Sequence, residues 1–231
     1  MIDDPPSARL LPPISLTVTA ASVRTGLFNS LVIATSSPTP FPRTDPEVEP
    51  VDLGLYHSEM SVDVEQLQLV YYPHPVLRKK AKAIEAVTDE VRRVAHRMIQ
   101  IMRDAPGVGL AAPQVGLDWR LFVARPPESD RDEVFINPVL TRPSSDLCDY
   151  EEGCLSLPNI TASIRRPRAI TIEALDLQGQ PFRKTDDEFP ARIWQHEFDH
   201  LEGVLILDRM TEIDQMANKR AIRDLERSFQ G

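Results

Sequence analysis

The residues with the most chemical content lie together, in Gln195-His196-Glu197-Phe198-Asp199-His200-Leu201-Glu202-Gly203. No Gly or Pro interrupts Ala191–Glu202, and Pro190 stands where helices favour proline, at their start. On a helix, His196 and His200 share one face, with Cβ atoms about 6 Å apart. Two imidazoles so placed can share one metal ion. Glu197 then flanks that ion, where a carboxylate can take a proton from activated water. The plainer alternative is an amphipathic helix with packed or solvated histidines, and H-E-x-x-H alone does not exclude it.

A third ligand decides which chemistry is open. In the pattern H-E-x-x-H-x-x-G-x-x-H, Gly203 fits, but Ile206 stands where the third His would be. The later carboxylates Glu212 and Glu226 have undistinguished neighbourhoods. Cys154, in Glu151-Glu152-Gly153-Cys154-Leu155-Ser156, is the better candidate, because a thiolate binds a borderline-soft divalent ion strongly. One Cys and two His leave a coordination position open for water, as catalysis requires.

Three motifs in order resemble the peptide deformylase family: Gly107-Val108-Gly109-Leu110-Ala111-Ala112-Pro113-Gln114, Glu152-Gly153-Cys154-Leu155-Ser156, and Gln195 to His200. The resemblance runs from about Leu67 to Met210. It implies removal of the formyl group from N-formyl-methionyl nascent peptides, with release of formate. Cys154, His196 and His200 are then the metal ligands, and Glu197 is the general base. Gln114 and the backbone N–H of Leu155 are the oxyanion donors. Glu152 pairs with Arg166 behind the ligands. One divalent ion is implied, usually Fe²⁺ in this family, with Zn²⁺, Ni²⁺ and Co²⁺ accepted. Gly107, Val108 and Gly109 would line the substrate, with Val108 and Ile193 as candidates for an apolar methionine pocket. The family often has Gly after the motif's Pro; here Asn159 follows Pro158, and Asn is the next-best residue for left-handed backbone.

The elements that must position these residues follow from pattern and punctuation. Leu67–Tyr72 alternates as a short edge strand, stopped by Pro73 and Pro75. Thr88 caps an amphipathic helix from Asp89 to about Asp104, whose apolar series is Val91, Val94, Ala95, Met98, Ile101, Met102 and Ala105. His96 lies on the charged side of that helix and is no ligand. Gly107–Gln114 reads as a loop. Strands are predicted over Arg120–Ala124, Glu133–Asn137 and Ala169–Leu175, the last turning through Asp176–Gln180 into Pro181–Thr185. Cys148 reads as a packed or surface thiol. Thr211 caps a last helix with Ile213, Met216, Ala217, Ala221, Leu225 and Phe229 on one face. The expected class is α+β: short antiparallel sheets around a central metal-binding helix, with a helix at each end.

The chain has 231 residues, a net charge of −9 and two cysteines. The acidic balance argues against nucleic acid or an anionic membrane as main partner. No apolar run approaches the ~20 residues that a membrane span needs. Cys148 and Cys154 are too close to suggest a disulfide framework, so a reducing compartment is expected. Residues 1–59 are rich in Pro, Ser and Thr and show no sustained period, so disorder is the expectation there. Either Met60 is the true start, residues 1–59 are a retained tail, or they are an organelle transit segment; Asp3 and Asp4 speak against the last. A catalytic domain over 60–231 follows, cytoplasmic unless residues 1–59 direct it to a plastid or mitochondrion. Nascent peptides, and with them the ribosome, are the implied partners of a monomer. Two other classes use part of the same pattern. A zincin-like endopeptidase would not need Cys154, and a closed structural metal site would have no use for Glu197 or Gln114.

Overall fold

A computed structural model describes residues 61–127 and 129–229. Expectations about residues 1–59 therefore fall outside the described part. The helix predicted from Asp89 to about Asp104 is α1 (Asp89–Asp104), with Ala105 extended as its C-cap, and the Thr88 hydroxyl accepts from the Val91 N–H at its start. Strands β1 (Gly109–Ala111), β2 (Leu121–Ala124), β3 (Glu133–Thr141), β6 (Ile170–Leu175) and β7 (Pro181–Asp186) form one antiparallel sheet in the order β1-β2-β3-β6-β7. Between β3 and β6 the chain makes a separate two-stranded sheet, β4 (Leu147–Cys154) with β5 (Leu157–Pro167). Helix α2 is Phe189–Leu201 and α3 is Glu212–Ser228.

Four-residue β2 is buried on both sides, because successive side chains point to opposite faces and each face carries a helix. Leu121 and Val123 join Leu110 and Ile136 under α1, against Val94, Met98 and Met102. Phe122 and Ala124 join Ala111, Phe135 and Ile172 on the other face, against Ala191, Ile193, Trp194 and Leu201 of α2. The sheet thus presses α2 into the middle of the molecule. A third apolar cluster lies under the β4–β5 hairpin and joins Leu157, Ile160 and Ile164 to Leu77, Leu205 and Ile206.

Gly203 ends α2 at φ +75°, and a Cβ there would lie 2.7 Å from the Arg78 carbonyl oxygen. The Val204 N–H turns back to the Asp199 carbonyl (2.9 Å), so the helix stops just after its second histidine.

Several expected elements differ. Leu67–Tyr72 is not a strand: the Val70 N–H donates to the Gln114 carbonyl and the Tyr72 N–H to that of Ser156, so no single strand is its partner. Gly107–Gln114 is only partly a loop; Gly109–Ala111 pairs with β2, and Ala112–Val115 is a 3-10 turn. In α3, Ile213 and Met216 are exposed, and Ala221, Ile222 and Leu225 face the third cluster. Polar groups hold the helix's first turns instead: Asp214 with the Thr211 cap, and Asn218 donating to the Thr161 carbonyl (2.8 Å). No helix among the described residues is long and apolar enough to cross a membrane.

Candidate metal centre

Helix α2 carries His196 and His200 one turn apart, with ring centroids at 5.1 Å. The end of β4 brings Cys154 to them, and one potential ligand atom from each of the three lies within 4.8 Å of the others. Cys154 Sγ is 3.4 Å from His200 Nε2. Sulfur and nitrogen bound tetrahedrally to one ion, at about 2.3 and 2.1 Å, would stand roughly 3.5 Å apart. The donor set and its spacing therefore fit a single divalent ion. Cys148 is six residues up β4, roughly 20 Å away along an extended strand, and takes no part.

The surroundings orient each group. Glu152, buried on β4, accepts from Arg166 Nε (2.7 Å) and from a second Arg166 nitrogen (2.9 Å). The same carboxylate is 2.9 Å from His196 Nδ1, which turns Nε2 of that ring toward the cysteine. Burial alone would raise the Glu152 pKa, but the hydrogen bonds from Arg166 and His196 outweigh it and hold it well below the usual carboxylate range. Burial would lower the His196 pKa, yet hydrogen bonds with Cys154 and Glu152 push it up to about 10. Burial and the charges of His196 and Arg166 lower the pKa of His200, which leaves its ring neutral with a lone pair to offer.

Glu197 is buried, and burial first of all raises its pKa to about 7. Its Oε2 has no hydrogen-bond partner among the described residues. An added Cβ on Gly109 would lie 2.2 Å from Glu197 Oε1 and 2.7 Å from Cδ, so only glycine leaves room for this carboxylate. Gln114 is fully oriented as well. Its Oε1 accepts from the Ala111 N–H (2.8 Å), so the amide nitrogen faces inward, 3.6 Å from Cys154 Sγ and 3.4 Å from Ser156 Oγ.

These groups open onto a cavity of about 400 Å³, whose lining includes Gly107, Val108, Gly109, Gln114, Cys154, Leu155, Ile193, His196 and Glu197. Glu152 lines it too, while Arg166 lies behind, buried against Glu152 and Asp199. Every candidate site residue read from the sequence is thus at or directly behind one cavity. Asn159 adopts φ 63°, so the turn keeps the left-handed geometry that Gly would take. Three contributors escaped the sequence reading. Tyr150 and Phe189 meet at the cavity wall with ring centroids 5.5 Å apart, but an isolated aromatic carries no sequence signal for a pocket. Arg192 is the third; a lone Arg on the apolar side of a helix was the available hint.

A helix with H-E-x-x-H, a hairpin cysteine and a buried carboxylate against glycine form the kind of site used in metal-assisted hydrolysis. The family model described as polypeptide deformylase matches residues 66–216. A peptide deformylase of Borreliella burgdorferi is 46% identical over 146 residues, 63% of this chain and 88% of that protein. The Arabidopsis thaliana protein named peptide deformylase 1B, chloroplastic/mitochondrial, is 36% identical over 98% of this chain and 87% of its own length. A crystal structure of Arabidopsis peptide deformylase 1B with an inhibitor superposes at a TM-score of 0.67 and 39% identity, over 70% of this chain and 91% of that one. A Plasmodium falciparum peptide deformylase does so at 0.65 and 35%, over 70% and 100%. The chain belongs to the polypeptide deformylase family. It is an enzyme that removes the N-formyl group of newly synthesised polypeptides.

Proposed function

We propose that Cys154, His196 and His200 hold the catalytic ion and that Glu197, Gln114 and the Leu155 N–H carry out deformylation around it. The observation that carries this reading is the convergence of three ligand atoms within 4.8 Å, beside a buried carboxylate and an oriented amide. When bound, the ion lowers the pKa of water and polarises a carbonyl oxygen. The Glu197 carboxylate takes the proton from the attacking water and passes it to the leaving amine, a role that a pKa near 7 suits. Gln114 Nε2 and the Leu155 N–H donate to the oxyanion that forms on the formyl carbon. Gly107, Val108 and Gly109 lie along the peptide, and Val108 and Ile193 face the methionine side chain. Glu152, fixed by Arg166, holds the His196 ring in the ligand orientation. A thiolate with two imidazoles suits several ions, of which Fe²⁺ is our choice. Formate release from formyl-Met-Ala-Ser by anaerobically purified protein tests the reading. Loss of that activity with a chelator and its return with Fe²⁺ are expected; full activity of metal-free protein would refute it.

Gly109→Ala should lose about 10²-fold in turnover with metal content unchanged, because the new methyl evicts Glu197 from its place. Steady-state kinetics beside metal analysis checks this, and wild-type turnover would separate Gly109 from the base.

We further propose that the working enzyme is a monomer that begins at or near Met60 and meets nascent chains at the ribosome. The family match at 66–216 and the elements that position the site lie beyond Met60. The alignment with the organelle-named Arabidopsis protein over 98% of the chain supports residues 1–59 as a segment removed after import, and an internal start in the cytoplasm is the alternative. A chain starting at Met60 should match full length in melting temperature and formate release. A large loss of either would show that the segment serves the domain. Mass spectrometry of the native N-terminus separates a removed or untranslated segment from a retained one.

A further inference from the structure

The proposed ligands come from two parts of the fold that share little apolar packing. Cys154 packs against the cluster under the β4–β5 hairpin, whereas the apolar side chains of α2 belong to the cluster on the five-stranded sheet. Among the described residues the two sheets share no strand pairing. Apart from the Tyr150–Phe189 ring contact at the start of the helix, what joins the hairpin to α2 is polar. From β5, Arg166 donates to Asp199 Oδ2 (2.6 Å) and to the Gln195 carbonyl (3.4 Å). From β4, Glu152 reaches His196 Nδ1 at 2.9 Å.

Two further links run the other way, from the helix to the hairpin: Gln195 Nε2 donates to the Pro167 carbonyl (3.0 Å), and Arg192 makes the larger one. Arg192, whose side chain is 7% exposed, donates to Glu152 Oε1 (3.0 Å) and to the Ile164 carbonyl (3.0 Å). Its other terminal nitrogen donates to the Cys148 carbonyl (2.8 Å) and stands 3.0 Å from Cys148 Sγ. One guanidinium therefore grips both hairpin strands and the carboxylate that orients His196. Arg192 is one helical turn before His196 and belongs to none of the three motifs.

We propose that Arg192 is a positioning residue: it clamps the β4–β5 hairpin to α2 and so keeps Cys154 at bonding distance from the ion held by His196 and His200. This rests on the ligand assignment above. The distance from Sγ to the two rings is set by where the hairpin sits on the helix. A metal site tolerates only about 0.2 Å of error in its bond lengths. The planar, rigid fork of a guanidinium can fix such a distance, because it holds several acceptors at once. A lysine cannot replace it, since one nitrogen does not span from Glu152 to the Cys148 carbonyl.

The test is the rate at which Zn²⁺-loaded protein gives up its metal to an excess of chelator. Arg192→Leu should release it about 10–100-fold faster than the unmodified protein, the usual effect of removing a partner behind a ligand. Arg192→Lys, which can still reach Glu152, should fall between. In Co²⁺-loaded protein, the thiolate charge-transfer absorption should weaken or shift in both variants. Release as slow as in the unmodified protein in both variants overturns the proposal. If Arg192→Leu does not fold, Arg192→Lys decides alone on the same criterion. Val94→Ala, buried in α1 on the face of the five-stranded sheet opposite α2, is the control for general destabilisation. Should it speed release as much as Arg192→Leu at an equal loss of melting temperature, the clamp is refuted. Cys154→Ala, measured alongside, separates the two ideas: a full metal equivalent in it shows that the ligand assignment has failed, whereas its metal-free state with slow release from both Arg192 variants shows that the clamp alone has failed.

Discussion

Glu197→Gln is expected to bind a full equivalent of metal and to lose about 10²–10⁴-fold in turnover, the contribution typical of a general acid–base group. The two halves of this result have separate causes. The metal stays because Glu197 contributes no atom to the cluster of Cys154, His196 and His200. The fold stays because glutamine has the same shape and its amide is neutral in a site where burial already favours the neutral acid. Turnover falls because an amide cannot take a proton from water or return it to the leaving amine. Metal analysis and formate release on one preparation give both numbers. Turnover like that of the unmodified protein would mean that another group is the base.

The site was more legible in the sequence than the fold that carries it. His196, Glu197 and His200 follow from a spacing of four on a helix, which is local information. Cys154 needed only the chemistry of thiolates and the nearby Glu-Gly-Cys stretch. Likewise, α1 came out close to its observed bounds, because a threonine cap and a 3.6-residue apolar period agree there. The β4–β5 hairpin was hidden for a physical reason. On β4 the residues from Asp149 to Glu151 are exposed and only Glu152 is buried, so no apolar alternation marks it. On β5 the inward positions run Ile160, Ala162, Ile164 and then Arg166, a cation whose burial is stabilised by Glu152 and Asp199, residues of two other elements. Arg192 was overlooked on the same ground, since its partners are remote in sequence. In α3 the inward stripe begins with Asp214 and Asn218, and counting apolar residues misplaced its first turns by one position.

The second large effect concerns Cys154. The β4–β5 hairpin holds its sulfur against two imidazoles that by themselves would leave an ion under-coordinated. The loss should not come from unfolding, because Cys154 is only partly buried and alanine fits an extended strand end. Turnover should vanish with the metal, and added Fe²⁺ or Zn²⁺ at stoichiometric levels should not restore it. Metal content of purified Cys154→Ala, compared with the unmodified protein prepared anaerobically in parallel, is therefore the most direct measurement. The account predicts close to one equivalent in the unmodified protein and only a small residue in the variant; a full equivalent in Cys154→Ala would contradict it.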